Sequence, residues 1–223
     1  MYILLTDVIT CPRCGPEMGL ILLADRVEER RVLSGRLGCA NCRETYPIAG
    51  GAVDLRVGAG EGEVGALIDG DLGSGDSQEG AVRIAALLGL AGARGTVLVA
   101  GPGAALAPAV AALVPEVEVV AFGPHAGAGE EAPGVSRVAG GPALPFRARS
   151  LHGVALTGGA DDALLAEGLR VLAAGSRLLV EGAAPGTAER LGAMGAEVLL
   201  EQEGVVVARS RGELVPLRVN ALR

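Results

Sequence analysis

VLVAGPGAALAPA, residues 97–109, is four apolar residues, two glycines around a proline, and then a run dominated by alanine and leucine. A short apolar run broken by Gly-Pro-Gly and followed by helix formers predicts a buried strand, a tight turn and a helix. Gly101 and Gly103 would let a ligand or another backbone approach the turn closely, which is the shape of a nucleotide-cofactor site. A glycine pair is weak evidence for any nucleotide, and this stretch contains no carboxylate.

Outward from this turn the periodicity alternates between helix and strand from Ala81 onward. AVRIAALLGLAG predicts a helix, TVLVA (96–100) a buried strand and LAPAVAALV a second helix. EVVAF (118–122), VSRVA (135–139) and HGVALT (152–157) read as strands, DALLAEGLRVLAAG as a helix and SRLLVEG as a strand. AEVLLEQ and VVVARS close the run as a hairpin turning at Glu203-Gly204. Such alternation predicts an α/β fold with a mostly parallel, doubly wound sheet covered by helices on both faces. The terminal hairpin adds antiparallel strands to one edge.

In this order, VLVAGPG, LPFRARSLHGVAL and LLAEGLRVLAAGSRLLVEG together resemble the class I S-adenosylmethionine-dependent methyltransferases, over about residues 81–210. The resemblance implies a seven-stranded Rossmann-like sheet and a cofactor held near Gly101 and Gly103. It also implies acids at four positions, and this chain has none of them: Val99, Gly123, Ala148 and His152 stand there, and Ala105 replaces a third glycine. A hydrogen bond to a charged partner contributes about 1.5–3 kcal/mol, so losing a bidentate ribose carboxylate removes roughly 3–6 kcal/mol. That is about two to four decades of affinity. Asp161 and Asp162, at the start of the helix DALLAEGLRVL, read as helix caps and only secondarily as compensating acids. His125 and His152 lack a defined acid partner.

All four cysteines lie in the first 42 residues, as CPRC (Cys11, Cys14) and CANC (Cys39, Cys42). Two CxxC knuckles aim four thiolates at one point, the donor set of a structural zinc site with no open position for catalysis. Gly15 and Gly38 relieve the two turns, and Arg13 and Arg43 offset the net −2 of a zinc held by four thiolates. Two disulfides or free core thiols are the alternative, and a reducing compartment disfavours the disulfides. LTDVITCPRCG, LGCANC and YPIAGGAVDL together resemble the small zinc-ribbon activator subunits of tRNA, rRNA and protein methyltransferases, over about residues 2–57. That resemblance implies a module without an active site that supports a methyltransferase partner.

Residues 58–80 carry six acids and no basic residue, and read as an acidic, glycine-rich linker between a zinc ribbon (1–57) and a methyltransferase-like domain (81–212), with a tail at 213–223. The chain has 223 residues, a net charge of −7 and mean hydropathy +0.43. The acidic balance excludes general attraction to nucleic acid, and four aromatic residues offer few platforms for stacked bases. The longest uncharged stretch, 95–115, is interrupted by Pro102 and Pro108, which argues against a membrane span. MYILLTDVIT lacks the basic start of a secretory signal, so a cytoplasmic location is expected. The combined expectation is a non-catalytic, methyltransferase-like scaffold or partner-binding subunit with a structural zinc ribbon. An active S-adenosylmethionine-dependent methyltransferase with an atypical pocket and a fused activator is the alternative. A crevice kept for another small molecule is a third.

Overall fold

The structure, a computed structural model, describes residues 1–57, 77–124, 126, 131–141 and 143–211. The linker expected at 58–76, the tail at 213–223 and His125 lie outside the described residues. Residues 77–80, read as the end of that linker, belong to helix α1, Ser77–Leu88.

The first four strands are β1 (Ile21–Glu28), β2 (Arg31–Gly38), β3 (Thr45–Ala49) and β4 (Ala52–Asp54). They form an antiparallel meander. Two of its turns have both central residues at positive φ, Glu29-Arg30 and Gly50-Gly51, the twist that suits a two-residue hairpin. After α1 come β5 (Gly95–Ala100), α2 (Ala107–Leu113), β6 (Val117–Gly123), β7 (Val135–Ala139), β8 (Leu151–Leu156) and α3 (Asp162–Val171). They are followed by β9 (Leu172–Glu181), α4 (Thr187–Ala193), β10 (Glu197–Gln202) and β11 (Val205–Arg209). The expected turn at Glu203-Gly204 joins β10 to β11, again with both residues at positive φ. The helix expected through Gly175 stops at Val171 instead. Leu172 leaves helical geometry to pair with Leu151, so backbone pairing with β8 overrides the helix-forming sequence.

All eleven strands belong to one sheet, in the order β1-β2-β3-β4-β7-β6-β5-β8-β9-β11-β10. The expectation of seven strands therefore counts only part of it. Strands β4, β7, β6, β5, β8 and β9 run parallel, and β11 and β10 close one side antiparallel. The joint between the cysteine-bearing meander and the rest is the β4–β7 pair, where Val53 faces Val138 and Asp54 faces Ala139. The sheet is thus a mixed one, continued by the ribbon rather than separated from it.

Alternation along each strand explains why both faces are buried. Val97 and Val99 of β5 and Val119 and Ala121 of β6 face α1 and α2. Leu98, Val120 and Phe122 face the opposite way, into a core completed by Leu165 of α3 and Leu191 of α4. Among the described residues no helix lies between β7 and β8. The sheet face there is covered by Leu5, Ile9 and Cys11, carried by the N-terminal segment. The Thr10 N–H donates to the Pro145 carbonyl (2.8 Å), the Arg147 N–H donates to the Val8 carbonyl (2.8 Å), and Ile9 bridges Phe146.

A second tie sits at the other end of the joint. Arg31 of β2 makes a bidentate pair with Glu118 of β6, at 2.9 and 2.8 Å, and donates to the Val135 carbonyl. Ser136 Oγ donates to the same carboxylate at 2.6 Å and accepts from the Tyr2 N–H at 2.8 Å. Nothing local in the sequence announces this network, because Tyr2 and Ser136 stand 134 positions apart. No helix among the described residues is long and apolar enough to cross a membrane.

Candidate metal centre and cofactor turn

The four cysteine sulfurs lie within 4.8 Å of one another. Cys11 Sγ is 3.7 Å from Cys42 Sγ, and Cys39 Sγ is 3.8 Å from Cys14 Sγ. A tetrahedron with metal–sulfur bonds of about 2.3 Å has edges of about 3.8 Å, so the donors fit zinc in both identity and spacing. Sulfur separations near 2.05 Å would mark disulfides, and all four cysteines are free. The two knuckles are built alike. The Gly15 N–H donates to the Cys11 carbonyl and the Arg43 N–H to the Cys39 carbonyl, each at 3.0 Å. Both closing residues take positive φ, +92° at Gly15 and +63° at Arg43. Gly15 thus relieves its turn as expected, whereas at the second knuckle Arg43 does so and Gly38 does not.

Backbone N–H groups of Cys42 and Asn41 pull the Cys39 thiol down against the effect of burial, while burial and the three other thiols push Cys42 up against the pull of the Glu44 N–H, so the first proton to leave the cluster comes from Cys39. A thiol so disposed ionises easily, as a metal ligand must. Arg13 donates to Glu44 at 2.8 Å, and its guanidinium is held charged first by Glu44 and then by Cys42 and Cys14. Arg43 is exposed.

The glycine turn forms as expected after β5, at the carboxyl ends of the parallel strands, and its two glycines pack against Thr157. Gly101 has φ +86° and ψ −155°, a region open to glycine alone. A Cβ there would lie 2.2 Å from the Thr157 carbonyl oxygen, and one at Gly103 would lie 2.6 Å from Thr157 Cγ2. Thr157, just past β8, also takes the turn's hydrogen bonds. Its Oγ1 accepts from the Gly103 N–H (2.7 Å) and donates to the Ala100 carbonyl (2.7 Å). The Gly101 N–H donates to the Phe122 carbonyl (3.1 Å) and the Ala104 N–H to the Gly101 carbonyl (3.0 Å). Pro102 has no N–H. Every backbone donor from Gly101 to Ala104 is therefore already engaged.

Val99 is buried toward α1 and α2. Gly123 ends β6 beside the turn, where an added Cβ would meet nothing closer than the Gly101 nitrogen at 3.9 Å. Ala148 is exposed. His152 is exposed at the start of β8, where its Nδ1 lies 2.4 Å from where a Cβ on Gly95 would be, at the opposite end of the strands from the turn. Asp161 is the N-cap of α3 and accepts from the Leu164 N–H at 2.8 Å. Asp162 does not cap; it pairs with Arg190 of α4 at 2.9 Å.

One carboxylate at the carboxyl ends of the strands escaped the sequence reading. Asp54 ends β4 and is buried, accepting from Arg56 Nε (3.0 Å), Arg56 Nη2 (2.7 Å) and the Arg56 N–H (3.0 Å). The signal was AVDL, which had been assigned to the ribbon, away from any cofactor end. A pocket of about 400 Å³ lies near the start of α3, lined by Ala143, Gly159, Ala160, Asp161, Leu164 and Glu167. Its carboxylates are already partnered, Asp161 by the Leu164 N–H and Glu167 by Arg170 and the Leu144 N–H.

No family model matches the chain, and no curated protein does. Among solved structures it is similar to the antibiotic-resistance methyltransferase Kmr, at 16% identity over 60% of this chain and 93% of that one, with a TM-score of 0.46. It is also similar to the cyclase SpnF, at 14% identity over 61% of this chain and 81% of that one, TM-score 0.45. A 16S rRNA adenine methyltransferase from Catenulisporales acidiphilia shows 15% identity over 64% of this chain and 95% of that one, TM-score 0.40.

Proposed function

We propose that the chain is a non-catalytic, methyltransferase-like scaffold or partner-binding subunit with a structural zinc ribbon built into its sheet. The observation that carries this reading is the glycine turn. Cofactor binding at such a turn needs backbone N–H groups and open space beside the glycines. Here the N–H groups of Gly101, Gly103 and Ala104 are all donated within the protein, and Thr157 packs directly against both glycines. This engagement of the turn's donors, with the absence of acids at Val99 and Gly123, supports the reading without S-adenosylmethionine, and no reaction step is assigned to it. The ribbon's zinc has a structural role in this reading, because four thiolates complete its coordination.

Calorimetric titration of the zinc-loaded full chain with S-adenosylmethionine tests this directly. The expected result is a dissociation constant in the millimolar range or weaker. A micromolar constant would establish the second reading, an active methyltransferase with an atypical pocket. That reading draws on the space between residues 143 and 167.

A further inference from the structure

The YPI segment after the second knuckle has no part in the scaffold reading, yet its tyrosine reaches the metal centre. Tyr46 lies on β3 with 1% of its surface exposed, inside the core shared by the ribbon and the parallel strands. Its hydroxyl oxygen is 3.4 Å from Cys11 Sγ, and among the described residues it has no other hydrogen-bond partner. A buried hydroxyl left unpaired would cost its desolvation, so this contact is what satisfies it.

Cys11 is the most deeply buried of the four ligands, at 0% exposure. Water does not reach it to hydrate its sulfur. The contact made by Asn41 differs: its Nδ2 donates to Cys14 Sγ at 3.3 Å on the exposed side of the cluster, where water can replace it. A ligating sulfur has lost its proton, so in the Tyr46–Cys11 pair the hydroxyl donates and the sulfur accepts. Donation draws electron density from the sulfur and fixes its lone-pair direction, as outer-shell partners of metal ligands do. Pro47 and Ile48 follow on β3, which pairs with β4, so the hydroxyl also links the metal centre to the neighbour of the strand that joins the two parts of the sheet.

We propose that Tyr46 is a positioning residue for the metal centre: its hydroxyl donates to the Cys11 sulfur, holds that ligand in place and slows loss of the metal. The proposal rests on reading the four cysteines as a metal centre, and the test separates the two. The full chain and its Tyr46→Phe variant are loaded with cobalt(II), which reports thiolate ligation through its charge-transfer absorption. Phenylalanine keeps the ring and the packing and removes only the donor. The expected result is a charge-transfer band displaced to lower energy in the variant, with metal affinity about 10–100-fold weaker and faster transfer to a chelator.

An unchanged band and unchanged affinity in a folded variant overturn the proposal, even if the variant melts earlier, because that outcome is packing alone. Failure of the wild-type chain to take up cobalt overturns the metal reading and this proposal with it. Should the variant not fold, wild-type protein loaded with NMR-active cadmium decides the matter. Through-bond coupling from the metal to the Tyr46 hydroxyl proton is expected, and its absence overturns the proposal.

Discussion

Chelating the metal from the intact chain is expected to unfold the whole eleven-stranded sheet, and not the cysteine-bearing meander alone. Metal binding in small zinc modules contributes on the order of 10 kcal/mol to folding. That is comparable to the entire stability of an ordinary domain, about 5–15 kcal/mol. The loss would stay local if the ribbon had its own core. Instead Leu5, Ile9, Cys11 and Tyr46 share one apolar cluster with Leu98, Phe122, Phe146 and Leu156 of the parallel part. The β4–β7 ladder and the N-terminal contacts to Pro145 and Arg147 reinforce that union. Hydrogen exchange on the amides of β5 and β6 gives the readout. Their protection should vanish together with that of β2 and β3 when the metal is removed, whereas retained protection of β5 and β6 would show two independent units.

Glu118→Gln is expected to lower stability by about 1.5–3 kcal/mol, the consequence of removing the charge from a partly buried, hydrogen-bonded ion pair. Glutamine keeps the shape but leaves the Arg31 guanidinium, with only 16% of its side chain exposed, without a counter-charge. It also weakens the bond accepted from Ser136, whose hydroxyl receives the Tyr2 N–H. The lesion therefore falls on the second tie between the meander and strands β6 and β7. A urea titration should show a lower midpoint with little change in slope. Replacing both partners by apolar residues, Arg31→Met with Glu118→Leu, should recover much of the loss, since an apolar pair leaves no uncompensated charge. A double variant as unstable as the single one would locate the damage elsewhere.

Those two ties mark where sequence reading reached its limit. Strands β5, β6, β7 and β8 were legible because each is a short apolar run bounded by turn residues, and Glu203-Gly204 announced the last hairpin. The four cysteines were legible because ligand spacing is local. The joining of the two parts was not, because β4 is three residues long and its partner β7 lies about eighty residues further on. Residues 58–80, acidic and rich in glycine, suggested separation instead. Pairing between distant strands leaves no periodic trace in either segment. Arg31, Glu118 and Ser136 likewise looked like ordinary polar positions. At the glycine turn, sequence showed which acids were missing but not what holds the Gly103 amide. Thr157 lies 54 residues from Gly103, and nothing local ties the threonine hydroxyl to that amide.

Hydrogen exchange at a single site, the Gly103 amide, tests the account where it is most exposed. With its proton held by Thr157, this amide is predicted to exchange slowly and to keep both its rate and its chemical shift when S-adenosylmethionine is added at micromolar concentrations, enough to fill a micromolar site and too little to fill a millimolar one. Fast exchange in the free protein, with protection or a shift appearing on addition of the cofactor, would show that the turn is open to a ligand and contradict the account.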